Sequence, residues 1–232
     1  MSVARRVVVV VIIELLFVVA TRLVLHYYSW QSVEAESIRT VLRIATAIWW
    51  LLKPLILSQK PNLRSTLKSS LVMGLLLLLS IPVLVGQYEL ARHVAILFAL
   101  TSIPVAVKEE FLFRGIVQNL LLEKLGSVKA TLLTSVIFTL WHVGVWSPTF
   151  WTFGQIFLVS VLLGLVYVGS RSIMVVIVIH AVYDALFSFT PLMPTPLDAN
   201  WGFIPLFGSV AFVIYWAFRG TKEKACQVKE IS

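Results

Sequence analysis

Apolar runs of membrane-crossing length recur along almost the whole chain, separated by short polar or proline-containing stretches. The runs fall at residues 7–25, 38–57, 67–86, from about 90 onward, 128–146, 153–169, 173–189 and 201–218. As a helix, each can cross a hydrocarbon layer roughly 30 Å thick. The pattern predicts an all-α, polytopic membrane protein of about eight transmembrane helices, a single integral membrane domain over residues 1–232. Breaks come from Lys60-Pro61-Asn62, Gly126-Ser127, Ser147-Pro148, Ser170-Arg171-Ser172 and the prolines Pro191, Pro194 and Pro196. The fourth run does not stop at Lys108. Helix-favouring residues continue through Glu109 and Arg114 to Lys124, with Pro104 as the expected kink.

Composition agrees with the pattern. The chain is 59% hydrophobic and 13% charged, against roughly 45–50% apolar and about 25% charged residues in an average soluble domain. The run after Arg5-Arg6 also has the form of a signal peptide, but Val18-Val19-Ala20 is a poor cleavage site and the many later spans argue for a retained first helix. A net charge of +8 would suggest nucleic acid in a soluble protein; here it follows membrane topology. With eight spans and the amino terminus inside, all but Arg22, Arg39, Arg43 and Arg92 of the 19 basic residues fall on the inner side, as the positive-inside rule requires. Both termini are then cytoplasmic, the lipid bilayer is the main partner, and nucleic acid is not one. Arg39, Arg43 and Lys53 are expected to snorkel toward the ends of the second span. Trp30, Trp49, Trp50, Trp146, Trp151 and Trp201 fall near span boundaries and read as interfacial anchors. The single cysteine, Cys226, excludes an intrachain disulfide and a cysteine zinc site.

Against this apolar background the ionisable residues inside spans are costly and few. Glu109-Glu110-Phe111-Leu112-Phe113-Arg114-Gly115 sets two carboxylates and a guanidinium side by side. Glu110 and Arg114 are four apart and can pair on a helix, while Glu109 points about 100° away and has no local partner; the bland alternative is that both acids are hydrated at the inner interface. His142 follows Phe138 by one helical turn and is either a hydrogen-bonding histidine at a helix contact or a proton carrier or metal ligand. His180 and Asp184 share a face, so the acid can orient the imidazole, or the two form a structural polar clasp. Glu14 reads as a tolerated or paired acid, and His26 and His93 as solvated. If the helices pack together, Glu109, His142, His180 and Asp184 converge on one buried water, with or without a metal. Two histidines and an acid suit a zinc ion with an open water position, although no His-Glu-x-x-His pattern occurs, and the cofactor reading is none or Zn.

The ordered set Glu109-Glu110-x-x-x-Arg114, Phe138-x-x-x-His142 and His180-x-x-x-Asp184 resembles the CAAX protease and bacteriocin-processing family, CPBP or Abi, with a family-like core over about residues 96–189. The resemblance implies an intramembrane endopeptidase acting on a membrane-associated peptide or protein, in a chain of this size in a bacterial cell membrane. By the same resemblance Glu109 is the general base on water, His142 helps hold that water, His180 and Asp184 stabilise the oxyanion, and Glu110 with Arg114 supports the first acid. It leaves open a metal at His142, His180, Glu109 and Asp184. Asp184 stands where many relatives have asparagine; an ionised aspartate there must be protonated, turned toward His180 or bound to a metal. The leading alternative is a non-catalytic scaffold or bacteriocin-immunity protein of the same fold. A transporter is disfavoured by the absence of repeated halves. With the fourth span ending near Lys108, Glu109 and His142 would lie about 21 Å apart in depth, at about 1.5 Å per residue. A fourth span shifted to about residues 96–122 removes the conflict.

Overall fold

The computed structural model describes residues 3–28, 32–51, 92–143, 150–189 and Ala211. Every regular element among them is helical, with no β-strand. The expected spans at 67–86 and, but for Ala211, 201–218, the prolines after residue 190, and Trp30, Trp146 and Trp201 lie outside the described residues.

The first helix, α1 (Val3–Leu25), is apolar on nearly all sides. Helix α2 (Val33–Leu51) starts earlier than the hydrophobic run, because Ser32 caps it: the Ala35 amide donates to Ser32 Oγ at 3.1 Å. That start brings Glu36 into the helix, where it pairs with Arg39 and Arg43, each at 3.0 Å. Arg39 is therefore buried beside its counter-charge rather than snorkelling. Thr101 also donates to Glu36, at 3.0 Å, tying α2 to α3 (Arg92–Glu110).

Pro104 sits inside α3 without ending it, and the helix runs on through a π-helical segment (Phe111–Gln118) into α4 (Asn119–Val143). The break comes at Gly126, whose φ of 72° and ψ of 171° belong to a region essentially reserved for glycine. The chain thus climbs from Arg92 to Leu125, turns at Gly126 and returns antiparallel. Glu109 and His142 stand at nearly equal sequence distances on either side of that turn, which removes the depth conflict in the way the shifted fourth span anticipated. Contacts across the hairpin fix its register: the Arg114 Cζ lies 5.0 Å from the Phe138 ring centroid, and Gln118 Nε2 donates to Thr131 Oγ1 at 3.1 Å. Gly126→Ala meets no side-chain obstacle, so its whole effect is backbone strain; we expect a loss of about 1–3 kcal/mol, measurable as a lowered unfolding midpoint in detergent.

Helix α5 (Phe150–Ser170) runs alongside the π segment. Gln118 Nε2 donates to the Gly164 carbonyl at 3.0 Å, and Asn119 Nδ2 to the Tyr167 hydroxyl at 2.8 Å. Gly164 allows this approach: a Cβ there would lie 2.7 Å from Thr131 Cγ2 and 3.1 Å from Gln118 Oε1. Gly164→Ala is expected to overpack the α4–α5 contact at a cost of about 1–3 kcal/mol, read as a lower midpoint without loss of helical circular dichroism. After Arg171 and Ser172, α6 (Ile173–Phe189) packs extensively on α3. Ser102 Oγ donates to the Ala181 carbonyl at 3.0 Å.

The surface is inverted relative to that of a water-soluble protein. Leu16, Leu23, Val41, Leu100 and Leu140 are each more than half exposed, while Glu14, Glu36, Lys108, Glu109, Glu110 and Arg114 are buried. Exposed apolar helix faces around paired internal charges are what a lipid environment favours. Among the described residues two helices, Val3–Leu25 and Phe153–Ser170, are long and apolar enough to cross a membrane, and Ile173–Leu186 is a shorter apolar helix. Arg6 pairs with Glu123 at 3.0 Å, so the start of α1 lies at the Gly126 end of the hairpin, with Lys124 and Lys129 exposed there. Lys108 and Arg114, counted on the inner side for the charge bias, lie inside the continuous helix, where each has a carboxylate partner.

Candidate active site

Three consecutive charged residues, Lys108, Glu109 and Glu110, leave one helical turn at about 100° intervals, and each finds a different partner. The bland reading of hydrated acids fails: Glu109 is 6% and Glu110 0% exposed. Glu110 Oε1 accepts from Arg114 Nη1 at 3.0 Å, one turn ahead. Arg114 then uses Nη2 to donate to the Ser160 carbonyl at 2.9 Å and to Ser160 Oγ at 3.0 Å. Its guanidinium stacks over Phe138, whose ring meets that of Phe113 edge-on, with centroids 4.8 Å apart. Two helices and an aromatic face therefore hold the guanidinium, which in turn holds Glu110.

Glu110 Oε1 also lies 2.6 Å from His180 Nδ1. Since the carboxylate is already the acceptor of Arg114, Nδ1–H donates to it. The sequence offered Asp184 as the acid orienting this ring, but Glu110 holds Nδ1 and Asp184 lies on the other side. His180 Nε2 is 3.4 Å from Asp184 Oδ2 and 3.9 Å from Glu109 Oε2. The structure thus brings Glu109, Glu110, His180 and Asp184 into one polar cluster between α3 and α6. Asp184, at 34% side-chain exposure, is its open edge, while the His180 side chain is 7% exposed. An Nε2 facing two carboxyl groups either carries a proton or faces a protonated acid, so proton exchange can occur at this atom.

His142 is set apart by Phe138. Its ring packs on the Phe138 ring at 4.5 Å between centroids, and the Phe138 ring is 6.4 Å from that of His180. His142 Nδ1 lies 2.9 Å from the Phe138 carbonyl. A carbonyl only accepts, so Nδ1 carries the hydrogen and, in the neutral ring, Nε2 carries the lone pair. Phe138 thus joins both imidazoles to the Arg114 anchor.

The four candidate metal ligands do not form a three-donor set as placed. Among the described residues no group of three or more His, Cys, Asp or Glu side chains has metal-binding geometry. Nδ1 is occupied in both histidines, by Glu110 and by the Phe138 carbonyl.

Sequence reasoning missed two contributors, Ser160 and Trp50, and the partners of a third, Glu14. Ser160 is one small polar residue in an apolar span and has no partner at helical spacing, so nothing marked it as the second holder of Arg114. Glu14 was read as a tolerated or paired acid; the structure pairs it with Lys108 and with the Trp50 indole, which donates to Glu14 Oε2 at 3.0 Å. Trp50 is accordingly a fully buried clasp and not an interfacial anchor, whereas Trp49 is exposed and His26 and His93 are exposed as expected. No spacing rule links residues on separate helices.

Comparison with known proteins bears on the stretch that holds this cluster. Residues 91–186 match the family model described as type II CAAX prenyl endopeptidase Rce1-like, which assigns this segment to the CAAX protease family. The matched stretch contains Glu109, Glu110, Arg114, His142, Ser160, His180 and Asp184, and leaves α1 and α2 outside it. No curated protein matches the chain.

Proposed function

We propose that this chain, whose residues 91–186 belong to the CAAX protease family, is an eight-span intramembrane endopeptidase that cleaves a membrane-associated peptide by attack of water. The observation that carries the reading is the buried cluster in which Glu109 and Asp184 face His180 Nε2, with Glu110 and Arg114 behind it. Buried charges on this scale are costly in an apolar fold unless they do chemistry or hold something that does.

In this mechanism Glu109 takes a proton from water as it attacks the scissile carbonyl, and later returns it to the leaving amine. His142 Nε2, the lone-pair nitrogen, orients the water by accepting one of its hydrogens. A protonated His180 donates from Nε2 to the developing oxyanion, while its Nδ1–H stays on Glu110 and fixes the ring. Asp184, turned toward His180, balances that cation rather than meeting the oxyanion itself. Arg114 and Ser160 keep Glu110 in place. Both termini are cytoplasmic in this reading, and the prenyl endopeptidase activity in the family's description makes a lipid-anchored peptide ending in a CAAX sequence the first substrate to try.

The test is cleavage of such a peptide by the purified chain in liposomes. His142→Ala is expected to lower kcat by about 10²-fold, the low end of general acid–base contributions, with KM changed less than the rate. The second reading is a binding protein without catalysis, favoured by Asp184 in a position where a neutral donor would better suit an oxyanion. It predicts that any peptide-dependent phenotype survives both Glu109→Gln and His142→Ala, and loss of the phenotype in both removes it.

A further inference from the structure

The matched segment begins at residue 91, yet a helix outside it reaches the level of the active site. Glu14, on α1, is 1% exposed in the middle of an otherwise apolar helix. Its carboxylate is held at both oxygens: Oε1 pairs with Lys108 Nζ, and Oε2 accepts from Trp50 Nε1 at 3.0 Å. Lys108 itself is 6% exposed. Its ammonium also sits over the Trp141 ring, 5.1 Å from the centroid, and Trp141 meets the His142 ring edge-on at 5.1 Å. One cation thus touches α1 through Glu14 and α4 through Trp141, on the residue next to Glu109.

The consequence is geometric. A helix can rotate about its axis at little cost unless side chains on different faces fix it, and neighbouring residues differ by about 100° in direction. Among the described residues Glu109 has a single polar contact, with His180 at 3.9 Å, too long to fix its direction. On one side Lys108 is bound to α1 and α4; on the other Glu110 is bound to Arg114 and His180. Glu109 is held between two anchored neighbours, and the lysine anchor depends on α1.

We propose that Glu14, Lys108 and Trp50 form a positioning clasp by which α1 and α2 set the direction of Glu109 at the active site. This rests on the reading of Glu109 as the base that activates water. It makes α1 more than a membrane anchor, since a change at Glu14 acts on a reaction whose other residues lie beyond residue 100.

Two measurements test it. In liposomes, Glu14→Gln and Lys108→Met should each lower kcat per folded molecule by about 10-fold or more, with KM within about 3-fold, as for loss of alignment rather than binding. Lys108→Arg, which keeps a cation between Glu14 and the Trp141 ring, should recover at least about half of the Lys108→Met loss on a logarithmic scale. Unchanged kcat per folded molecule in both single variants overturns the clasp even if wild-type cleavage is robust. The second measurement needs no substrate: a double-mutant cycle between Glu14→Gln and Glu109→Gln, read as unfolding midpoints in detergent. Coupled sites should depart from additivity by about 3 °C or more, and additivity within about 1 °C contradicts the clasp whether or not any peptide is cleaved.

Discussion

Arg114→Leu is expected to cost about 3–5 kcal/mol of stability, enough to deplete folded protein, because it takes the guanidinium from a fully buried carboxylate and leaves it the His180 Nδ1–H. Glu110 would lose its 3.0 Å partner, and the Ser160 carbonyl and hydroxyl would lose their donor. Arg114→Lys is not a rescue, since one ammonium cannot spread over Glu110 and Ser160 or lie flat on Phe138 as the guanidinium does. The informative variant is the double substitution Glu110→Leu with Arg114→Leu. With both charges gone, an apolar pair of similar volume should restore much of the unfolding midpoint. Activity should not return, because His180 Nδ1, 2.6 Å from Glu110 in the native protein, has lost its acceptor. Stability and catalysis separate in one molecule, and recovered cleavage in that double variant would contradict the role given to Glu110.

Glu109→Gln makes the opposite pattern. The amide keeps the size of the side chain and removes the proposed base, whose charged contact among the described residues is 3.9 Å away, so the unfolding midpoint should move by no more than a few degrees. Loss of a general base is expected to lower kcat by about 10²–10⁴-fold. Glu109 and Glu110 are adjacent in sequence but differ in what depends on them. Removing the partner of Glu110 is expected to endanger the fold; neutralising Glu109 is expected to stop the proposed chemistry.

What was legible in the sequence follows from the range of each rule. Helical spacing connects residues three or four apart, and both such pairs, Glu110 with Arg114 and His180 with Asp184, are in contact in the structure. The turn at Gly126 was legible because a glycine after a helix has one common use. So was the run of the fourth helix past Lys108, from the helix-favouring residues through Arg114 to Lys124. The partner of Lys108 was not: a carboxylate on α1 leaves no trace in local sequence. The same limit hid the Glu110–His180 contact, the hold of Ser160 on Arg114, and the fully buried place of Trp50. The second apolar run starts at residue 38, whereas α2 starts at Val33; Glu34 and Glu36 lie in its first turn, where acids suit the helix dipole.

The central claim, that Glu109 drives peptide hydrolysis within the membrane, is tested most directly by one reconstitution. Wild-type protein and Glu109→Gln are placed in liposomes with a lipid-anchored peptide ending in a CAAX sequence, and products are followed by mass spectrometry. The account predicts one new carboxyl terminus with the wild type and at least about 10²-fold less with Glu109→Gln at equal folded protein. The same product at the same rate from both proteins would contradict it.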